Sequence, residues 1–170
     1  MKHLLKIIQK AKHSSFYLWV LNRTLLKVVP FNKPHGFKIL NISDHSITIE
    51  LCYQNSNLNH IKGMHACALA TLAEYTTGFL LLSRLDPAKH RVIIQSIDMV
   101  YHYQCKMNAV AQLTINEDWL NQHVYLPLQT QETIIVPFEI DIHDTEKNHL
   151  CTGKINWQVK NWDKVKTRID

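Results

Sequence analysis

Within the stretch ALATLAEYTTGFLLL, residues 68 to 82, almost every position is apolar or small, yet Glu74 stands in the middle. An ionised carboxylate in an apolar setting costs several kcal/mol unless it is paired or takes up a proton. Burial alone raises its pKa toward neutrality and makes the group a usable base. Glu74 is therefore either a structural acid, facing a surface or held by Tyr75, Thr76 or Thr77, or a proton acceptor in a site. Two residues with compatible chemistry lie upstream. Asn59 carries an amide that can orient a carbonyl or a water, and His65 carries an imidazole six positions further on.

These three side chains need a scaffold. The segment from Met64 to about Leu85 is rich in Ala and Leu and poor in β-branched residues, which predicts a helix closed by Asp86-Pro87. Its apolar residues fall on nearly every side, the pattern of a helix buried all round. Ala66, Ala68, Ala70 and Ala73 keep its girth small enough for a sheet to wrap it closely. His65, Ala66 and Cys67 fall where loop becomes helix, and a first helical turn offers free backbone N–H groups and the positive end of the dipole. Such groups can hold a carbonyl and stabilise an oxyanion. Nine residues of helix rotate by about 900° and rise by about 13 Å, so position 65 and Glu74 project to roughly opposite sides. One chain does not easily bring them together.

Around that helix, "FKILNISDHSITIELCYQ" predicts a hairpin turning at Ser43-Asp44-His45, after a Pro- and Gly-broken turn over residues 30 to 36. Four strand-like runs follow the helix: RVIIQSIDMVYHYQC, MNAVAQLTI, ETIIVPFEIDIHD and HLCTGKINWQVK. In the third, Ile134, Val136, Phe138, Ile140 and Ile142 keep a strict period of two. This order predicts an α+β fold in which one antiparallel sheet covers a buried helix. In residues 1 to 12, Leu4, Leu5, Ile8 and Ala11 oppose Lys2, Lys6, Gln9 and Lys10. Such an amphipathic helix either packs on its own domain, the commoner case, or makes peripheral contact with a membrane or partner.

Composition narrows the function. The 170 residues, 46% of them apolar, suffice for one sizeable core, and the net charge of +5 is spread without a run of like charges. Nucleic acid is not demanded, and a mildly basic surface suits a phosphate-bearing ligand. Cys52, Cys67, Cys105 and Cys151 lie far apart, which argues against a zinc cage or a disulfide framework and for reduced thiols in a cytoplasmic protein. Neither a signal peptide nor a membrane span is expected. His60 with His65, and His143 with His149, lack the companions of a metal site, and no Gly-rich loop provides for a cofactor. Cys67 is expected as a small residue at a packing contact rather than a nucleophile.

The segment NHIKGMHACALATLAE resembles the motif of hotdog-fold thioesterases of the phenylacetate-pathway type. It resembles more closely an uncharacterised hotdog family with a pattern near NHxGTxHAxALxxLAExxxG, matched by Asn59, His60, His65, Ala66, Ala68, Leu69, Leu72, Ala73, Glu74 and Gly78. Met99 and Tyr101 resemble that family's next strand. The motif spans residues 59 to 78, and the order of elements agrees over roughly residues 30 to 160.

The resemblance implies a single hotdog domain over residues 30 to 170, preceded by a helical extension over 1 to 29. It also implies a dimer or tetramer whose central helices pack antiparallel, so that Glu74 of one chain meets the Asn59/His65 loop of another. The implied reaction is hydrolysis of an acyl thioester of coenzyme A or acyl carrier protein, with Glu74 as general base rather than nucleophile, Asn59 on the carbonyl or the water, and His65 on the thioester or fixing the loop. Gly63, Met64, Ala66, Cys67, Met99 and Tyr101 would line the substrate, and Lys62, Lys89 and Arg91 are nominated for coenzyme A phosphates. Ala66-Cys67 departs from the Gly-Gly of the catalytic families, and Ala narrows the carbonyl's approach. A silent acyl-binding protein and a hotdog dehydratase or hydratase therefore stand as alternatives.

Overall fold

The computed structural model describes residues 2–165; the last positions of the domain expected over 30 to 170, residues 166–170, lie outside the described residues. Two helices, α1 (Lys2–Ala11) and α2 (Ser15–Val28), are followed by a short 3-10 turn, Pro30–His35, and the hairpin β1 (Phe37–Ile42) and β2 (Ser46–Leu51). The long helix α3 (Ala66–Arg84) leads into β3 (His90–Tyr101) and β4 (Ala109–Thr114). Then come α4 (Glu117–Leu120), α5 (Leu126–Thr130) and the strands β5 (Thr133–Asp144) and β6 (His149–Asn161).

The six strands form one antiparallel sheet in the order β1-β2-β4-β5-β6-β3. Their alternating buried residues, among them Ile47, Ile49, Leu51, Val136, Ile140, Ile155 and Val159, join the apolar residues of α3 in one core. This is the hotdog layout that the resemblance implies. By length and composition α3 could cross a bilayer, yet 67% of its apolar 18-residue window is buried inside the protein. Close approach is secured at Gly78, where a Cβ would lie 2.4 Å from the Trp157 ring. The Trp157 indole N–H donates to Thr77 Oγ1 at 3.0 Å, so the same edge of the ring that lies over Gly78 is tied to the helix.

The expectation of burial all round α3 needs correction. From Tyr75 to Leu81 the helix is buried on every side, but its first turns leave Ala66 and Cys67 exposed and Ala70, Thr71 and Glu74 half-buried. Their spacing places them on one uncovered stripe. Cys67, expected at a packing contact, is exposed on that stripe, and no element among the described residues covers it.

The two edges of the sheet are finished differently. Along β1, the Asn22 side chain of α2 accepts from Ile39 N–H at 2.8 Å and donates to Ile39 O at 3.0 Å, as a neighbouring strand would. Along β3, no strand lies beyond the edge among the described residues. There Ile94, Ile97, Met99 and Tyr101 stand opposite Trp157, Ile155, Gly153 and Cys151, and so share the face turned to α3.

The helix expected near the N-terminus packs on its own domain: Ile8 and Ala11 of α1 are buried, and Leu4, Leu5 and Ile7 lie against the core. Within residues 116 to 131, for which the sequence predicts no element, lie α4, a π-helical turn at Asn121–Tyr125 and α5. The helical period is hidden there because the pieces are short and Pro127 interrupts them.

Candidate active site

The loop from Asn57 to His65 is built by side chains that hold backbone. Asn57, only 1% exposed, donates through its amide to His35 O and Cys52 O, both at 2.8 Å, and its Oδ1 meets His35 Nδ1 at 2.8 Å. The sequence gives no sign of this role except another Asn two residues before the motif. Asn59 Oδ1 accepts from the N–H groups of Ile61 and Gly63, both at 3.0 Å, which closes the turn on itself. The amide Nδ2 of Asn59 has no partner among the described residues, so of the two ends of this side chain the donor end is free. Lys62, at φ 62°, takes the left-handed conformation the turn requires, and Tyr53 Oη donates to its carbonyl.

Where the loop becomes α3, the N–H groups expected to hold a carbonyl are mostly engaged. His65 N–H donates to Asn57 O at 2.7 Å, and Cys67 N–H donates to His65 Nδ1 at 3.1 Å. Ala68 and Leu69 N–H both donate to His65 O. Ala66 N–H alone in this turn lacks a partner among the described residues. His65 is thus the N-cap, and because Nδ1 accepts, the proton of the neutral ring sits on Nε2. One backbone N–H, one imidazole N–H and one amide N–H are left as donors. Two residues expected to line the substrate serve the loop instead. Met64 is buried at 4% exposure with its N–H on Cys105 O, and Gly63 is buried beneath the Gln104 side chain.

Glu74 lies between the second and third turns of α3, and its carboxylate is held by none of Tyr75, Thr76 and Thr77. Thr76 and Thr77 hydroxyls donate to backbone carbonyls, at Leu72 O and Ala73 O, and Thr77 reaches only the backbone oxygen of Glu74. The carboxylate has no hydrogen-bond partner among the described residues. Burial pushes its pKa up to about 7. A group with this pKa exchanges its proton near neutral pH, as general base catalysis requires.

Beside the uncovered stripe runs β3. Tyr101 Oη donates to Ala66 O at 2.9 Å and ties the strand to the start of the helix. Met99 Sδ fills the space over Gly153, where a Cβ would approach it to 2.8 Å. The cations nominated for phosphates do not gather in one chain. Lys62 is in the loop before α3, whereas Lys89 and Arg91 follow its far end, about 28 Å away along the 19-residue helix. Arg91 there donates to Gln158 Oε1 at 3.0 Å. Three grooves of about 250, 350 and 340 Å³ are lined by residues other than Asn59, His65 and Glu74.

Residues 18–159 match the family described as a domain of unknown function, DUF4442. No curated protein matches the chain by sequence. Among solved structures, a protein of unknown function from Pseudomonas aeruginosa, called a "probable thioesterase", superposes with a TM-score of 0.75 at 20% identity, covering 83% of this chain and 94% of that one. A thioesterase from Haemophilus influenzae superposes at 0.68 with 16% identity over 92% and 99% of the two chains. A thioesterase mutant from Pseudomonas aeruginosa gives 0.67 at 12% identity, over 89% and 99%. These likenesses bear out the hotdog fold. The chain belongs to the DUF4442 family.

Proposed function

We propose that this DUF4442 protein hydrolyses acyl thioesters in a site formed between two copies of the chain, with Glu74 as the general base. The observation that carries the reading is the Glu74 carboxylate itself: half-buried, unpartnered, with a pKa raised to about 7, on the one stripe of α3 that the sheet leaves uncovered. A solitary acid in that position costs stability, so a structural role does not explain it. The thioesterases of similar fold, at 12% to 20% identity, support the reaction class.

In the proposed site, the thioester carbonyl of one substrate lies at the start of α3 and receives Ala66 N–H, with Asn59 Nδ2 and His65 Nε2 as further donors. As water attacks, negative charge develops on the carbonyl oxygen, where these fixed donors lower its energy. The partner's Glu74 accepts the proton of that water; the tetrahedral intermediate then collapses to the acid as its C–S bond breaks, and the leaving thiolate takes the proton back from Glu74. Two chains with antiparallel α3 helices supply two such sites by symmetry. The same symmetry would bring Lys89 and Arg91 of one chain toward Lys62 of the other, where coenzyme A phosphates or an acidic carrier protein would find cations.

The test measures thiol release from a panel of acyl-coenzyme A substrates. Glu74→Gln lowers the rate by about a thousandfold if it removes the base. Asn59→Asp keeps the acceptor that closes the loop and removes the donor, and is expected to cost about a hundredfold. If the wild-type protein binds acyl chains and turns none over, the protein is an acyl-binding module. If water adds to an enoyl thioester, it is a hydratase.

A further inference from the structure

The charge of the chain is divided unevenly along its length, in contrast to the dispersed pattern expected. Residues 1–43 hold eight Lys and Arg and no Asp or Glu, whereas the rest holds eleven cations against fourteen carboxylates. The basic block folds as α1, α2, the Pro30–His35 turn and β1. Lys12 is neutralised by Asp44 at 2.5 Å, but among the described residues Arg23, Lys27, Lys33 and Lys38 have no ion pair.

Three large aromatic residues are exposed on the same block: Phe16 at 64%, Trp19 at 57% and Phe31 at 66%. Phe16, Trp19, Arg23 and Lys27 recur at spacings of three and four, so they line one face of α2. Phe16 and Trp19 stack at 6.2 Å, and the Arg23 guanidinium lies 5.7 Å from the Trp19 ring. The opposite face of α2 is occupied by Leu21 and Leu25, which are buried. The helix therefore carries a second apolar surface, rimmed by cations, that the fold leaves bare.

We propose that this face of α2, with the Phe31 turn, docks on the anionic surface of a phospholipid bilayer. Phe16, Trp19 and Phe31 enter the interfacial layer, where aromatic rings are stabilised, and Arg23, Lys27 and Lys33 reach the lipid phosphates. A bilayer suits the surface because it offers a flat apolar layer and a diffuse negative charge together. The docking element is not the one the sequence pattern marks. The amphipathic helix α1 turns its apolar side inward, at Ile8 and Ala11, and the helix beside it carries the exposed rings. Since α2 lies at the β1 edge, docking leaves the β3 edge and Glu74 free, and the proposal stands whether or not the protein hydrolyses thioesters.

Co-sedimentation of the full chain with vesicles tests it. Vesicles of phosphatidylcholine and phosphatidylglycerol are expected to retain the protein, pure phosphatidylcholine is not, and added salt releases it. Arg23→Gln with Lys27→Gln weakens binding by about thirtyfold, roughly fivefold per charge. Phe16→Ser with Phe31→Ser also weakens it while circular dichroism stays unchanged. Trp19 emission shifts to the blue on binding, and Trp19→Phe loses the shift while still binding. Equal binding to neutral and anionic vesicles, or full binding by the Arg23/Lys27 variant, overturns the proposal. So does absence of vesicle binding, whether the face instead takes an acidic carrier protein or a second copy of the chain.

Discussion

At one edge of the sheet, β1 ends against Asn22, whose amide gives Ile39 both hydrogen bonds that a further strand would supply. At the other, the twelve residues of β3 run without a neighbour among the described residues, with Ile93, Ile97, Val100 and Tyr101 between 42% and 55% exposed. A long, apolar, unpaired edge is a template for another strand, and proteins that remain single chains blunt such edges with charges, prolines or covers. Among the described residues there is a cover at β1 and none at β3. The open edge borders the uncovered stripe of α3 that holds Glu74, so the unfinished backbone and the unexplained acid belong to one surface. This coincidence supports the two-chain site, since the same partner that pairs β3 would enclose Glu74.

The contrast can be broken most directly at β3. Ile97→Lys places a charge on that edge, which blunts it against pairing with a further strand. Sedimentation is expected to report a single chain, and thioester hydrolysis to fall about a thousandfold. Full activity in a single-chain species would show that the site needs no partner. The next effect is on pH. With Glu74 titrating at about 7, kcat/KM should rise about tenfold per unit through the acid range and level off above neutrality. A profile flat between about pH 5 and 7 would remove Glu74 as the base.

At the closed edge the loss is of stability rather than activity. Asn22→Ala strips both bonds from Ile39 and is expected to cost about 2 kcal/mol in urea unfolding, with hydrolysis of the remaining folded protein intact. The smallest effect concerns Glu74 again. Its folded pKa lies above the ordinary value of 4.5, so the folded protein holds the proton more tightly than the unfolded chain does. The resulting stability is fully present below about pH 4.5 and is lost as pH rises through about 7. Partial exposure of the side chain reduces the loss to about 1 kcal/mol, which Glu74→Gln should recover above pH 7 in thermal unfolding.

The elements that follow short-range periodicity were legible before any coordinates. The alternation in residues 134 to 142 defined a strand with one buried face, and the Ala- and Leu-rich run closed by Asp86-Pro87 defined the central helix. The motif residues Asn59, His65 and Glu74 were legible as chemistry, though their division of labour was not. That His65 spends Nδ1 on capping, and Asn59 spends Oδ1 on its own loop, depends on turn geometry no spacing rule contains. Residues 117 to 130 were silent because two short helices joined by a π turn show no sustained period.

By itself the sequence determined a helix wrapped by an antiparallel sheet and an acid that the helix could not comfortably bury, since period and polarity are local properties of the chain. Only the tertiary structure decided which side of α3 stays bare, which edge of the sheet is closed and which N–H at the helix start remains free. Those depend on residues far apart in sequence, such as Asn22 with Ile39, Tyr101 with Ala66 and Trp157 with Thr77, meeting in space.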